Sequence, residues 1–322
     1  MKLVSYIKEG HEQLAILVND ILYDTDGLHP ELPSTMSMFL NYWDDYYTLA
    51  VAINQSIQDG KISLNKGIPL GSASLLSPVP QPSSCRDADG FSSESKEFPV
   101  LSFCNHHSIQ GPGEIYCMPD HLQDLDFELK VAIVICRQGK NISADEADEY
   151  IGGYMIMNDV CARRLEKEEM QFNRGPVKSK DFATVVGPWL VTSDELELFR
   201  TETKDGHLGN CFQLSMKCRV NGKQVSEGNL ADMRWTFAEI IERSAYGAEL
   251  FPGEIVSSGT FANGSLQGLN SIGGPNDSSY QPQWLCEGDT IEMEIEGLGT
   301  LVTNVVADPN DFSLRAKRKN RE

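Results

Sequence analysis

The stretch "LDFELKVAIVI", Leu125–Ile135, decides how the fold is read. Side chains in a strand point to one face at every second position, so Phe127, Leu129, Val131, Ile133 and Ile135 line one apolar face. The other face carries Glu128, Lys130, Ala132 and Val134. A core-bound strand thus presents a carboxylate and an ammonium, two residues apart, on a face that then turns apolar. Charges in such a place cost free energy unless something pairs with them. They form either a simple salt bridge or the edge of a site.

Upstream, "KLVSYI" and "LAILVNDILYD" alternate as strands. An amphipathic helical stretch follows over Met36–Gln58, with Ser34 or Thr35 as N-cap. The Pro-, Ser- and Gly-rich "PLGSASLLSPVPQPSSCRDADG" reads as a connection. It predicts a small N-terminal α/β domain over 1–75 and a main domain over 76–322. Further strands are predicted at "FPVLSFCNH", "SIQGPGEIYC", "ATVVGPWLVT", "CFQLSMKCRVNGKQV", "EIVSSGTFA" and "DTIEMEIEGLGTLVTNVV". Two helices interrupt them. One lies in "SADEADEYIGGYMIMND", where Ser143 and Glu146 form a capping-box pattern and a Gly pair supplies the stop. The other spans Asp232–Ala245, with Met233, Phe237, Ile240 and Ile241 on one face. Many short strands, few helices and frequent Gly turns predict an α+β, mostly β fold of the folded-sheet or barrel type.

Composition narrows the function. A net charge of −20 opposes nucleic acid and anionic membrane surfaces as general partners. The basic "RAKRKNRE" at Arg315–Glu322 reads as a solvated terminus. No stretch reaches the roughly 18–20 apolar residues of a membrane span, and the charged N-terminus lacks a signal-peptide pattern. The eight cysteines are scattered without a C-x-x-C pair, which predicts reduced thiols in a cytoplasmic protein.

Five segments stand in order: the Glu128–Lys130 strand preceded by "GPG", "MNDVCARR" with Asp159, "GPVKSKDFATVVGPW" with Lys180, "RVNGKQVSEGNLADMRWTF", and "PGEIVSSGTFANG". Together they resemble the fumarylacetoacetate hydrolase family from about residue 80 to 306. The resemblance implies a folded β-roll main domain, commonly a homodimer. It also implies Mg²⁺ or Ca²⁺ in a carboxylate site, acting on β-diketone or 2-oxo acid substrates by Lewis-acid catalysis. Hydrolytic members add a His–Glu pair that activates water.

The family's acidic strand reads E-x-E, both carboxylates binding metal; here Glu128 matches the first and Lys130 stands at the second. Asp159 keeps the carboxylate of "MND". Asp87 matches the upstream aspartate, with Asp89 competing, and Glu94 falls where the family has its catalytic His. After "SGT" the dyad Glu is replaced by Gln267 or Gly268, and the glutamine after "AR" is Glu166. Lys180 and Thr260 match the active-site lysine and the "SGT" threonine. At about 4 Å two charges in a partly buried site interact by roughly 4 kcal/mol, so Lys130 competes with a metal. No metal is therefore expected; should one bind, Glu128, Asp159 and Asp87 are its ligands.

The site residues that follow are Lys180, Lys130 and Glu94 for catalysis, and Thr260, Glu166, Asp159 and Glu128 for binding a small-molecule carbonyl substrate. The expected chemistry is non-hydrolytic and runs through an enolate: decarboxylation, isomerisation, condensation or cyclisation. A non-catalytic protein of the same fold and an ordinary Mg²⁺- or Ca²⁺-dependent C–C bond hydrolase are the alternatives. His106 and His107 are replacement bases of lower rank, and Cys161 reads as a packed residue whose thiol Asp159 keeps protonated.

Overall fold

A computed structural model of the chain describes residues 1–62, 67–92, 97–173, 175–273 and 279–319. Two sheets share one core. In the larger, strands lie side by side in the order Ile68–Pro69, Ile21–Asp24, His11–Val18, Lys2–Lys8, Thr184–Val191, Ile151–Asp159, Leu129–Ile135, Ile255–Ser257, Cys85–Ala88 and Leu101–Phe103. The smaller runs Lys223–Asn229, Ser215–Val220, Thr290–Ile295, Gly299–Ala307 and Gly113–Cys117. The fold is α+β with more strand than helix, as the strand patterns predict.

The alternation along Leu129–Ile135 sorts side chains between two cores. Phe127, Leu129, Val131, Ile133 and Ile135 pack with Met216, Cys218, Ile291, Met293 and Leu301 of the smaller sheet. Ala132 and Val134 face the other way, with Met155, Met157, Val186 and Ile255, and are covered by Phe39, Leu40, Trp43, Ala50 and Ile57. Those covering residues come from the N-terminal segment, whose first strand also pairs with the main sheet, Lys2 opposite Val191 and Leu3 opposite Leu190. Its helical stretch is two helices, Met36–Asn41 and Trp43–Gln58, broken at Tyr42 (φ −124°, ψ 41°). Of the two candidate caps Thr35 takes the role, its Oγ1 accepting from Met38 N at 3.4 Å.

The helix expected in "SADEADEYIGGYMIMND" is instead a short 3₁₀ turn, Ala147–Tyr150, followed at once by the strand Ile151–Asp159. Glu146 reaches back to Ser143 N (3.2 Å), but so short a segment cannot sustain an α-helix against strand pairing. The Gly pair lies inside the strand, where a Cβ on Gly153 would come within 2.6 Å of Val191 O. Close strand approach, and no helix stop, is what those glycines serve. The second helix begins later than its apolar pattern suggested, at Phe237, because Thr236 and Glu239 form a complete capping box there. Met233, Phe237, Ile240 and Ile241 are buried together as expected. All eight cysteines are free.

Ile133 is fully buried on the central strand, so Ile133→Ala is expected to lower unfolding free energy by about 2–5 kcal/mol in urea titrations. Leu198→Ala, at a side chain 94% exposed, should stay within about 0.5 kcal/mol of wild type.

Candidate active site

The face of the larger sheet that is apolar under the N-terminal helices becomes charged toward one end. On the central strand, Lys130 lies opposite Met157, and Asp159 follows two residues further on that neighbouring strand. On the other side Ala132 pairs with Ser257, which pairs with Asp87. Period-two alternation therefore brings Lys130, Asp159 and Asp87 out on one side, in line with Val134, Met157 and Cys85.

Lys130 Nζ lies 2.8 Å from Asp87 Oδ2, 2.8 Å from Glu128 Oε2 and 2.7 Å from Asp159 Oδ2. Its side chain is 1% exposed. Lys130 Nζ donates hydrogen bonds to Asp87 and Asp159, and its contact with Glu128 is an ion pair. Lys180 Nζ donates to two of the same oxygens, Glu128 Oε2 at 2.7 Å and Asp159 Oδ2 at 2.8 Å. Ser257 Oγ donates to the second oxygen of Asp87. Asp159 Oδ1 and, on the paired strand, Thr184 Oγ1 are buried without a hydrogen-bond partner.

Burial alone would push an ammonium toward neutrality, but Asp159, Asp87 and Glu128 outweigh it and hold Lys130 well above the usual lysine range. Lys180 is raised by the same balance of burial against Asp159 and Glu128. Burial likewise opposes charge on Glu128, yet Lys130, Lys180 and Arg163 hold it well below the carboxylate range. Both lysines are thus cations at neutral pH, suited to donate hydrogen bonds and stabilise anions.

A second set of contacts fixes this cluster. Arg163 opens the helix Arg163–Met170 and is largely buried. Its Nε donates to Asp126 Oδ2 (2.8 Å), its Nη2 to Glu128 Oε1 (2.6 Å) and its Nη1 to Glu166 (3.0 Å). Asp126 in turn accepts from Leu266 N (2.7 Å) and Gln267 N (3.1 Å), tying in the loop after "SGT". From the same helix Glu169 accepts from Val177 N, Lys178 N and Ser179 N at 2.9, 2.7 and 3.3 Å. It thereby shapes the loop that carries Lys180. Sequence reading assigned no role to Arg163, Asp126 or Glu169. Arg163 was visible in the "MND-x-x-AR" motif and Asp126 in the period-two series Asp126, Glu128, Lys130; Glu169 carries no such signal.

A cavity of about 380 Å³ opens over the cluster, lined by Asp87, Cys104, Asn105, Glu166, Lys180 and Asp181, among others. That is a small-molecule volume. Among the described residues lining it Lys180 is the one cation; it is 19% exposed and donates to two carboxylates. A neighbouring cavity of about 390 Å³, lined by Arg163, Glu166, Met170, Gln267 and Trp284, meets the first at Glu166.

Of the residues predicted from sequence, Lys130, Lys180, Glu128, Asp159 and Asp87 are brought together, and Glu166 stands at the cavity wall. Thr260 does not line the cavity: its Oγ1 is 2.9 Å from Leu129 O and 3.3 Å from Gly264 O, fastening a loop. The preceding Gly259 has φ +70°, and a Cβ there would meet Ala88 O at 2.1 Å, so the "SGT" glycine is required by the backbone. Glu94 lies outside the described residues. His106 and His107 pack against each other with tilted rings in a 3₁₀ turn, ring centroids 4.2 Å apart, and neither lines the cavity. Cys161 is buried, and burial more than any neighbouring charge keeps its thiol protonated.

Asp87, Glu128 and Asp159 offer ligand atoms that all lie within 4.8 Å of one another, the spacing of a metal-binding triad. The same oxygens already contact Lys130 Nζ at 2.7–2.8 Å. A dication in the middle of that triad would meet an ammonium, so the residues as placed do not fit one.

Residues 83–306 match the fumarylacetoacetate (FAA) hydrolase C-terminal family model. The chain belongs to the fumarylacetoacetate hydrolase family. A fumarylacetoacetate hydrolase domain-containing protein 2 homolog of Dictyostelium discoideum is 28% identical over 318 residues, 95% of this chain and 97% of that protein. An oxaloacetate tautomerase of Bacillus subtilis, YisK, is 29% identical over 248 residues, 73% of this chain and 74% of its own. Among solved structures, a maleylpyruvate hydrolase of Sphingobium in complex with manganese(II) and pyruvate shares the fold. Its TM-score is 0.70 at 19% identity, covering 96% of this chain and 100% of that one. The family fold anticipated from the ordered motifs is the fold observed.

Lys130→Met removes a cation shared by Asp87 and the buried Glu128 and Asp159, leaving the latter two to Lys180 and Arg163, and should cost about 3–5 kcal/mol at pH 7. Because Glu128 is depressed in the folded state, its contribution is present above its unfolded value of about 4.3 and fades as acid titrates it. Lys130, raised, contributes fully below about 10.4 and loses its share as pH climbs through the folded value. The deficit of Lys130→Met should therefore narrow as acid removes the Glu128 contribution from the wild type, in urea titrations across pH.

Proposed function

We propose that the protein is an enzyme that interconverts or decarboxylates an enolisable carbonyl compound, a β-diketone or β-keto acid, through an enolate. The observation that carries this reading is the Lys180 ammonium, fixed by Glu128 and Asp159 at the wall of a ligand-sized cavity. A substrate oxygen that takes up negative charge as the adjacent carbon loses a proton or carbon dioxide would accept a hydrogen bond from that ammonium. A preorganised donor in a site screened from water is worth more than the same group in solution. Lys130, behind Lys180, adds positive potential without touching the cavity wall, so the cationic centre is a pair of ammonium groups and no bound ion takes part.

We assign the proton transfer to Glu166, which lines the cavity and whose two oxygens share a single donor, Arg163 Nη1; Asp87 instead has one oxygen held by Lys130 and the other by Ser257. In tautomerisation Glu166 takes the proton from carbon, the C–H electron pair enters the new C=C bond and the carbonyl π pair moves to oxygen; the Lys180 N–H hydrogen-bonds that oxygen as it gains charge, and Glu166 returns the proton to it. Hydrolysis is not the favoured outcome, since no histidine is among the residues lining the cavity.

Charge also favours a substrate class. Asp87, Asp126, Glu128, Asp159 and Glu166 face Lys130, Arg163 and Lys180, two more anions than cations. A dicarboxylate such as oxaloacetate, the compound in the name of the tautomerase relatives, meets more repulsion here than a neutral diketone or a monoacid.

The test is a spectrophotometric assay of enol–keto interconversion on acetylacetone-type diketones, acetoacetate and oxaloacetate, run in parallel with release of carbon dioxide. Lys180→Met should lower kcat by about a hundredfold or more with circular dichroism unchanged. Equal rates in wild type and Lys180→Met would sink the proposal.

A further inference from the structure

We infer that Lys130 Nζ is a built-in cation standing in the centre of a carboxylate triad that would otherwise take a divalent metal ion, and that residue 130 alone decides which of the two the site holds. The inference deepens the enolate reading of the same site and rests on it for what the cation is for; the choice of cation is measured without substrate.

Three observations carry it. The ligand oxygens of Asp87, Glu128 and Asp159 are mutually within 4.8 Å, and one nitrogen contacts all three at 2.7–2.8 Å. The ammonium is heavily engaged: it donates to Asp87 and Asp159 and forms a 2.8 Å ion pair with Glu128. It is also unable to step aside without cost. Lys130 sits on a strand paired with neighbours on both sides, Ile151–Asp159 and Ile255–Ser257, and its side chain is 1% exposed. Rotating it away would leave Glu128 and Asp159 to Lys180 and Arg163 and Asp87 to Ser257, and take a buried ammonium out of all its ion pairs.

Charge completes the argument. Exchanging the ammonium for a carboxylate lowers the local charge by two units, and one divalent ion restores it. The wild-type cluster and a metal-loaded Lys130→Glu cluster therefore carry the same net charge, with Lys180 in place in both. Four oxygen ligands of that hardness suit Mn²⁺, Mg²⁺ or Ca²⁺.

The experiment titrates Mn²⁺ into the chelator-treated full chain and follows free Mn²⁺ by electron paramagnetic resonance, with circular dichroism as the check on folding. Wild type should take up no stoichiometric Mn²⁺ at micromolar concentrations. Lys130→Glu should bind one ion per chain, tighter than wild type by at least about a hundredfold. Should Lys130→Glu not fold without metal, Lys130→Gln, which removes the positive charge without adding a ligand, should show intermediate affinity and a thermal midpoint that rises with Mn²⁺. Stoichiometric micromolar uptake by wild type that Asp159→Asn abolishes would overturn the inference. So would folded Lys130→Glu or Lys130→Gln that binds no better than wild type. A wild type inactive on every enolisable compound would defeat the functional reading and leave this one standing.

Discussion

The ammonium of Lys130 is held by one oxygen each of Asp87, Glu128 and Asp159 at 2.7–2.8 Å, in a place from which water is excluded. Lys130 could not be buried there as a cation without these carboxylates, and Glu128 is held charged by Lys130, Lys180 and Arg163. Together Lys130 and its carboxylates tie Ile151–Asp159 and Leu129–Ile135 to Cys85–Ala88, across Ile255–Ser257, at one end of the sheet. Lys180 is added to two of the same oxygens, which fixes its ammonium at the cavity wall. The cluster is therefore both a clasp on the sheet and the floor of a cavity.

That clasp depends on strand geometry. A single face of the central strand is apolar under Phe39, Trp43 and Ile57 and charged one step further on, at Lys130. The N-terminal helices cover the apolar part and leave the charged part facing the cavity. Beyond the inner cluster, Arg163 ties Asp126, Glu128 and Glu166 together, and Glu169 holds the Lys180 loop by its backbone. Stability and positioning are thus supplied by the same ion pairs. Breaking a buried pair by removing one partner costs more than the pair itself contributes, because the other charge is stranded.

Much of this was legible in the sequence because alternation is a local rule. The five apolar residues Phe127 to Ile135 declared their face, and the ordered motifs placed Glu128, Lys130, Asp159 and Lys180 near one another. Asp87 was distinguished from Asp89 only by the parallel pairing with Ser257, a long-range fact. Glu169 was invisible for a different reason: its partners are mostly backbone N–H groups, which carry no sequence signature, with the Ser179 hydroxyl beside them. The Gly152–Gly153 pair misled because a glycine that ends a helix and a glycine that lets two strands approach look alike in one dimension. Thr260 stood in the expected motif, but its hydroxyl is turned to the backbone of its own loop and of Leu129.

Membership of the fumarylacetoacetate hydrolase family, whose relatives include oxaloacetate tautomerases and a structure holding manganese(II), makes residue 130 the point on which the account turns. The most direct test is a crystal structure of the wild-type protein soaked in Mn²⁺, with anomalous differences collected for manganese. The account predicts Lys130 Nζ within hydrogen-bond distance of Asp87, Glu128 and Asp159 and no anomalous peak among them. A peak ligated by those three carboxylates, with Lys130 turned away, would contradict it.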